Sequence, residues 1–168
     1  LTLLWLGALN NDAQLESTGE SESAQTFRVV GDPTEGALLV AAAKAGTPYR
    51  EIHDAYPREN EIPFDSERKR MITVHDIIEP TKGDFSPFYD KQHKGWDVIV
   101  VKGAPDVVLE LCTKYQAMND ETEPLDAKAK KRILDANDAM TADALRVLGL
   151  AYRVEKDVPN GEITPEQV

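Results

Sequence analysis

Two strand-like segments, 61–64 and 70–78, flank a short run of charged residues within the sequence NEIPFDSERKRMITVH. Strands this close along the chain are expected to form an antiparallel hairpin, because a parallel pair needs a longer crossover. The other strands and helices do not alternate strictly. The sequence therefore favours an α+β fold, an antiparallel sheet flanked by helices, over a doubly wound parallel sheet.

The rest of the chain supplies the other elements of this fold. A first helix is predicted at 1–9, where the polar cluster Asn10-Asn11-Asp12 stops it, and a second from the cap Asp32 to the terminator Gly46. A third helix is predicted after Ala104, with Val107, Val108, Leu111 and Cys112 inward, and a fourth within 126–144. Further strands are predicted at 26–30, 96–102 and 145–154. Loops are predicted at 16–25 and at 79–95, the latter as a long, mobile insertion with exposed aromatic residues.

Net charge and cysteine content limit the class of protein. The 168-residue chain carries a formal net charge of −11, which argues against nucleic acid or an anionic membrane surface as the main partner. Cys112 is the only cysteine, which excludes a disulfide framework and favours a reducing compartment. The apolar opening LTLLWLGALN is too short to span a bilayer. We interpret the chain as one domain (1–154) of a larger protein, followed by a linker or frayed tail (155–168).

Common signatures of complete active sites are absent from the sequence. It contains neither the GxxxxGK[ST] pattern of a P-loop nor a GxGxxG dinucleotide fingerprint. His53, His75 and His93 do not share the spacing of metal ligands, and no Cys–His nucleophile pair is suggested. We expect no metal site and no catalytic residue within the chain.

Phe64 is the first candidate for a binding site. Side chains alternate along a strand, so Ile62 and Phe64 are expected on one face, with Phe64 at the strand's end. The ring is then either at the edge of the core or a platform for a purine base. In the second case Lys69 would lie nearby to meet the negative charge of the ligand. Stacking of a base on an aromatic ring contributes roughly 1–3 kcal/mol.

Three further residues have two interpretations each. Lys102, at the end of a buried strand, either lines a ligand site beside Gly103 or extends to water. Glu35 either completes a capping box with Asp32 or accepts a hydrogen bond from the amine of a base. Arg146 either faces solvent from an apolar strand or reaches a bound anion. The residues alone do not decide among these alternatives.

Four motifs taken together are more informative than each alone. GDPTEGAL, PFDSERKRM, VKGAPD and LRVLGLAY, at these successive spacings, resemble the nucleotide-binding domain of P-type cation-transporting ATPases, in particular the calcium-pump-like branch with its bacterial members. The resemblance covers residues 1 to about 154. It implies an antiparallel sheet flanked by helices that holds ATP by its adenine end and delivers the γ-phosphate to an aspartate elsewhere.

The resemblance implies a role for individual residues at the adenine end. Phe64 would stack on the adenine. Glu35, with Thr34 beside it, would lie near the adenine amino group. Lys102, with Gly103 behind it, would line the floor of the pocket.

At the phosphate end, Lys69 matches the lysine that follows the stacking phenylalanine, and Arg146 matches the arginine that reaches toward the phosphates. Animal-muscle calcium pumps have an arginine two residues after that phenylalanine, where this chain has Ser66, so Arg68 or Lys69 would supply the charge instead. The set of lesser candidates is Ser66, Arg68, Ala104 and Leu148.

The motifs that the chain lacks complete the expectation. DKTGT, TGD and GDGxND, which carry the phosphorylated aspartate and hold magnesium in the family, are absent. The resemblance thus implies a monomeric cytoplasmic fragment of a membrane pump that binds ATP, without hydrolysis or transport of its own, and works with the phosphorylation and actuator domains of its parent chain. The alternatives are an interaction domain of the same fold that has lost nucleotide binding, or a small enzyme with a carboxylate site.

Overall fold

The computed structural model describes residues 1–18, 27–47, 49–80, 86–88, 93–118, 121–156, 158 and 164. Within these ranges the helices are α1 (Thr2–Leu9), α2 (Pro33–Lys44), α3 (Tyr49–Ala55), α4 (Pro105–Glu110) and α5 (Ala127–Ala142). The strands are β1 (Gln14–Ser17), β2 (Phe27–Val30), β3 (Arg58–Asp65), β4 (Arg70–Asp76), β5 (Asp97–Gly103), β6 (Lys114–Gln116), β7 (Thr122–Pro124) and β8 (Gly149–Glu155). No helix in this described part combines the length and apolarity needed to cross a bilayer.

The central sheet has four strands in the order β3-β4-β5-β8, and all neighbouring pairs are antiparallel. The predicted hairpin is its first pair, although β3 begins at Arg58 and is longer than expected. Two short antiparallel ribbons, β1-β2 and β6-β7, lie outside this sheet. The prediction of an α+β fold with an antiparallel sheet and flanking helices is confirmed.

Both faces of the central sheet are covered, which explains the almost uninterrupted apolar run in β5. Val98 and Val100 point into a first core, formed with α1, α2 and α3, whereas Ile99 and Val101 point into a second core beside α4. An antiparallel strand with one solvated face would show an apolar–polar alternation. The continuous run thus encodes a sheet between two apolar layers.

The first core includes a residue from the segment predicted to be an exposed insertion. Phe88 is only 3% exposed, and its ring meets those of Trp5 and Tyr152 edge-on at 5.7 Å. Ser86 accepts a hydrogen bond from the buried Tyr56 hydroxyl at 2.6 Å. The expectation of exposed aromatic residues is wrong at Phe88, because burial of its ring outweighs the polar composition around it. Residues 81–85 and 89–92 lie outside the described ranges.

Several predicted boundaries also differ from the structure. Glu16 and Ser17 belong to β1 and pair with β2, although their polarity indicated a loop; residues 19–25 of that predicted loop lie outside the described part. In α4, which ends at Glu110, Leu109 is buried, whereas Leu111, which was predicted to point inward, is 50% exposed. The last strand begins at Gly149 instead of residue 145, after Ala144 in a left-handed conformation (φ 59°).

The predicted cap of α2 is confirmed, and so is its end. Asp32 is the N-cap, Pro33 opens the first turn, and Gly46 adopts a φ of +83° just beyond the helix. The helix α3 and the ribbon β6-β7 have no counterpart in the prediction. Both are short, and short elements carry too few periods for their pattern to be recognised.

His75, on β4, is completely buried, and its Nδ1–H donates to the carbonyl of Tyr56 at 3.1 Å. Its other ring nitrogen, Nε2, has no hydrogen-bond partner among the described residues. Protonation would leave a charged N–H unpaired in the core. Burial accordingly lowers the pKa of His75 to about 3, with smaller lowering by the charges of Arg58 and His53.

We predict that this histidine makes the stability fall with acidification. The unfolded chain binds a proton at His75 below a pH of about 6.5, whereas the folded chain does not until about pH 3, so the free energy of unfolding decreases between these values by up to about 1.4 kcal/mol per pH unit. Urea unfolding of wild type and His75→Gln at several pH values measures this. The free energy of unfolding of the variant should change less steeply with pH, by the equivalent of about one proton. Equal slopes in the two proteins would contradict the prediction.

Candidate functional site

The N-terminus of α2 fixes the positions of Thr34 and Glu35. The Asp32 carboxylate accepts hydrogen bonds from the main-chain N–H groups of Thr34 (2.8 Å) and Glu35 (3.2 Å). The amides of Glu35 and Thr34 lower the pKa of Asp32, so the cap remains ionised. Asp32 thus anchors the turn that carries both candidate residues.

Glu35 forms an ion pair with Lys102 instead of completing a capping box. Lys102 Nζ lies 2.6 Å from Glu35 Oε1, and the two side chains are only 8% and 15% exposed, respectively. Lys102 Nζ also donates to the carbonyl of Asn10 at 2.5 Å, and the amide of Asp12 donates to Glu35 Oε2 at 3.1 Å. The alternative of a lysine that extends to water is therefore wrong, because its ammonium group is buried among acceptors.

Two helix ends meet at this ion pair. Asn10 is the C-cap residue of α1, and Glu35 lies in the first turn of α2. A helix C-terminus favours a cation and a helix N-terminus favours an anion. Each charge of the pair thus lies at the helix end that complements it, which helps to offset the cost of burying both.

The sequence predicts only a helix stop at Asn10 and Asn11, and their side-chain roles were missed. Asn10 Nδ2 donates to the carbonyl of Val100 at 2.9 Å, and Asn11 Nδ2 donates to that of Glu35 at 3.0 Å. Adjacent asparagines directly after an apolar helix were the available signal. Their partners are 24 and 90 residues away in the chain, so the pattern could not name them.

Phe64 is 63% exposed and lies at an irregularity of the hairpin. Ile62 is opposite Ile72 and Asp65 is opposite Arg70, so β3 has one more residue than β4 between these pairs. Cross-strand partners share a face, and a bulge of this kind breaks the alternation. The expected common face of Ile62 and Phe64 is therefore wrong: the extra residue turns Phe64 toward the face that carries Lys102. At 63% exposure Phe64 lies at most at the edge of the core, and its use as a platform for a purine base stays a prediction.

The charged turn after Phe64 is organised by Asp65, whose carboxylate accepts from the amides of Arg68 (2.8 Å) and Glu67 (3.0 Å). Arg68 donates to the carbonyl of Pro63 at 3.1 Å, which draws its side chain back along the hairpin. Ser66 and Lys69 are exposed, and Lys69 has a positive φ of 52°. Of the cations in this turn, Lys69 is the exposed one that follows the ring.

Gly103 and Ala104 connect this turn to the end of β5. The amide of Ala104 donates to the carbonyl of Lys69 at 3.0 Å. A Cβ on Gly103 would lie 2.4 Å from that carbonyl oxygen and 2.8 Å from the Cβ of Arg70. The close approach that this glycine allows in the structure is that of the hairpin turn, and its expected contact with a ligand stays a prediction. The contact sets Lys69 beside the end of β5, where Lys102 lies; Phe64, on β3, is separated from β5 by β4.

Arg146 precedes β8 and so is not a charge within a strand, as had been expected. It is exposed, and its guanidinium donates to the Thr34 hydroxyl at 2.8 Å. Leu148, directly before β8, is half-buried. The N-terminus of α2 thereby collects Thr34, Glu35, Lys102 and Arg146.

A cavity of about 830 Å³ lies elsewhere, between β1, α2, α3 and β3. It is lined by Asp12, His53 and Arg58 among others, and the candidate residues are not in its lining. Arg58 is already paired with Asp12 and Glu61, each at 2.6 Å. Within the described ranges, no group of three or more His, Cys, Asp or Glu residues is placed to hold a metal ion.

We predict strong coupling between Glu35 and Lys102 in stability. Replacing one member of a buried pair, as in Lys102→Met, leaves the other charge uncompensated and should cost about 3–5 kcal/mol. The double variant Glu35→Gln/Lys102→Met should lose about 0.5–3 kcal/mol less than the sum of the single changes. Urea unfolding of the four proteins measures this coupling.

The exposed pair Lys131–Asp135 provides the control. Its side chains are 73% and 61% exposed, so Lys131→Met should alter the free energy of unfolding by less than about 0.5 kcal/mol. Additive effects of the Glu35 and Lys102 substitutions would show that the pair contributes no interaction of its own.

Comparison with known proteins places these residues in a family context. Residues 2–167 match the family model described as P-type ATPase, cytoplasmic domain N. The chain is 31% identical over 98% of its length to a calcium-transporting ATPase of Listeria monocytogenes, and 33% identical over 82% to calcium-transporting ATPase 1 of Lactococcus lactis. It is 36% identical over 94% to the probable cation-transporting ATPase F of Mycobacterium tuberculosis. The chain spans 14–16% of the length of these relatives.

Proposed function

This chain belongs to the P-type ATPase cytoplasmic domain N family, and we propose that it binds ATP by the adenine end and, within a full-length pump, presents the γ-phosphate to an aspartate of a separate phosphorylation domain. The observation that carries the proposal is the buried Glu35–Lys102 pair at the N-terminus of α2, in the same sheet as the exposed Phe64, which lies on β3, two strands from Lys102 on β5. A buried ion pair and an exposed aromatic ring on strands of one sheet suit a ligand that has a flat base and polar edges.

Each side chain has a proposed contact with the nucleotide. Phe64 stacks on the adenine, and Glu35 accepts from its amino group, since the Glu35 carboxylate can only accept hydrogen bonds. Lys102 lines the floor beneath the base. Lys69 and Arg146, both exposed, meet the phosphates; Arg146 would exchange its contact with Thr34 for a phosphate oxygen.

The affinity expected from these contacts is low. A stacking term of roughly 1–3 kcal/mol and one or two charge-assisted hydrogen bonds of about 1.5–3 kcal/mol each must overcome the association entropy. The dissociation constant should therefore lie between high micromolar and about 1 mM, which corresponds to about −4 kcal/mol. The phosphorylation domain of the parent would hold the other end of the ATP and raise the overall affinity through effective concentration.

The parent protein is proposed to be a cation pump of the membrane, with this domain on its cytoplasmic side and the phosphorylation and actuator domains as partners. Two of the similar proteins are named as calcium-transporting ATPases, which favours calcium as the transported ion. On this proposal ATP is a substrate of the parent, and magnesium is bound mainly outside this domain.

We predict that Phe64→Ala weakens ATP binding by about 5- to 150-fold, the equivalent of a lost stacking interaction of 1–3 kcal/mol. Titration of the isotope-labelled protein with ATP should shift signals of residues 34–36, 64–69, 102–104 and 146, and the variant should largely lose these shifts. Phe27→Ala is the matched control, because that ring is also exposed (53%) but lies on β2. Absence of shifts in the wild type at millimolar ATP would favour an interaction domain without nucleotide binding.

A second prediction concerns the metal. The titration should give a similar dissociation constant with magnesium and with a chelator, because the one carboxylate among the proposed contacts, Glu35, is already engaged by Lys102 and by the amide of Asp12. A strict requirement for magnesium would contradict the assignment of these residues.

A further inference from the structure

We propose that Asn10 and Asn11, in the connection between α1 and β1, are positioning residues that hold Lys102 and Glu35 in the geometry used to bind the base. This inference rests on the proposed nucleotide function and extends it to residues that do not touch the ligand. Both asparagines are buried, with exposed fractions of 0% and 5%. Their side chains and main chains account for several hydrogen bonds that surround the ion pair.

Asn10 fixes the position of Lys102 through the central sheet. Its Nδ2 donates to the carbonyls of Val100 at 2.9 Å and Met71 at 3.4 Å, on the adjacent strands β5 and β4. Its own carbonyl accepts from Lys102 Nζ at 2.5 Å. The side chain thus pins the residue above β5, two positions from Lys102, and the main chain then receives the ammonium group.

The end of helix α1 does not explain why residue 10 is an asparagine. Its φ and ψ are −87° and 75°, outside the left-handed region that favours asparagine, and its N–H bonds to the carbonyl of Leu6 as any residue could. Its Oδ1 is buried without a partner in the described part of the chain. Both neighbours of Nδ2 are carbonyls, which only accept, so the donor end of the amide is the useful one.

Asn11 fixes the position of Glu35. Its Nδ2 donates to the carbonyl of Glu35 at 3.0 Å and to that of Gly7 at 2.9 Å, which ties the first turn of α2 to α1. Its Oδ1 accepts from the amide of Ala13 at 2.9 Å and so shapes the connection. The amide of Asp12, between these two residues, donates to Glu35 Oε2. Both the main chain and the carboxylate of Glu35 are therefore held by residues 11 and 12.

Such anchoring matters for a site that binds weakly. Glutamate and lysine side chains lose considerable rotamer freedom when they are ordered. Where the surrounding chain orders them during folding, the ligand does not have to supply that free energy on binding. Loss of the anchors should thus reduce the affinity for the nucleotide even where the domain remains folded.

Two variants test the proposal. Asn10→Ala removes the amide that bonds to Val100 and Met71. Asn11→Ser keeps a hydroxyl that can accept from Ala13, but its single O–H on a shorter side chain cannot replace the amide that donates to both Gly7 and Glu35, so it provides a milder change if Asn10→Ala does not fold. Ile99→Val is the control for lost stability, because Ile99 packs in the second core, on the face opposite Lys102.

Two measurements are made on each folded protein. Titration with ATP should show about tenfold weaker binding in the asparagine variants and an unchanged affinity in Ile99→Val. Without nucleotide, the side-chain ammonium signal of Lys102, observed with ¹⁵N-labelled lysine, should move in Asn10→Ala but not in the control, which a general loss of stability would not produce.

The outcomes are distinct. ATP binding by the wild type with unchanged affinity in both asparagine variants, or in Asn11→Ser alone if Asn10→Ala is unfolded, overturns the positioning role and leaves the proposed function intact. Failure of the wild type to bind ATP overturns the proposed function, and with it any role of these residues in nucleotide binding. Weaker binding in a folded asparagine variant but not in Ile99→Val supports the proposal.

Discussion

The buried ion pair of Glu35 and Lys102 is the interaction on which the arrangement of this domain depends. Burying a carboxylate and an ammonium group costs free energy unless each is paired and hydrogen-bonded. Here groups from α1, α2 and β5 together, and the amide of Asp12, supply those partners. The pair thereby fixes the end of one helix, the start of another and the last residues of a central strand relative to each other. An apolar pair would pack with less demand on geometry, whereas the charged pair requires these three elements in one arrangement.

The features that the sequence predicted are those encoded locally. The hairpin, the capped helix α2 and the apolar strand β5 depend on the alternation, capping and turn chemistry of neighbouring residues, and all three are present. Phe88 shows the limit of this approach. Its neighbours are polar, proline and glycine residues that indicate a surface segment, and contacts with the distant Trp5 and Tyr152 make its position a core position. The short helix α3 was not predicted for a related reason, since seven residues give too little periodicity.

The same distinction applies to the candidate site. The motifs identified Glu35, Phe64, Lys102 and Arg146, but not their arrangement, because it depends on contacts between residues far apart in the chain. The face on which Phe64 lies was predicted incorrectly, since an extra residue between Ile62 and Asp65 interrupts the regular alternation of side chains along β3. The supporting asparagines were invisible as partners, because a main-chain carbonyl has no signature in sequence. The local sequence thus indicated which side chains are candidates, whereas contacts between distant segments determined which residues surround them.

The tie between Lys69 and the Gly103–Ala104 segment has a consequence for how this domain can vary. The carbonyl of Lys69 bonds to the amide at the start of α4, and no side chain fits between them. An inserted or deleted residue in the hairpin tip would displace that carbonyl and, with it, the first turn of α4. The hairpin tip is therefore a surface loop whose length is constrained by this contact. Insertions and deletions in related chains should concentrate in the other loops between helices and strands.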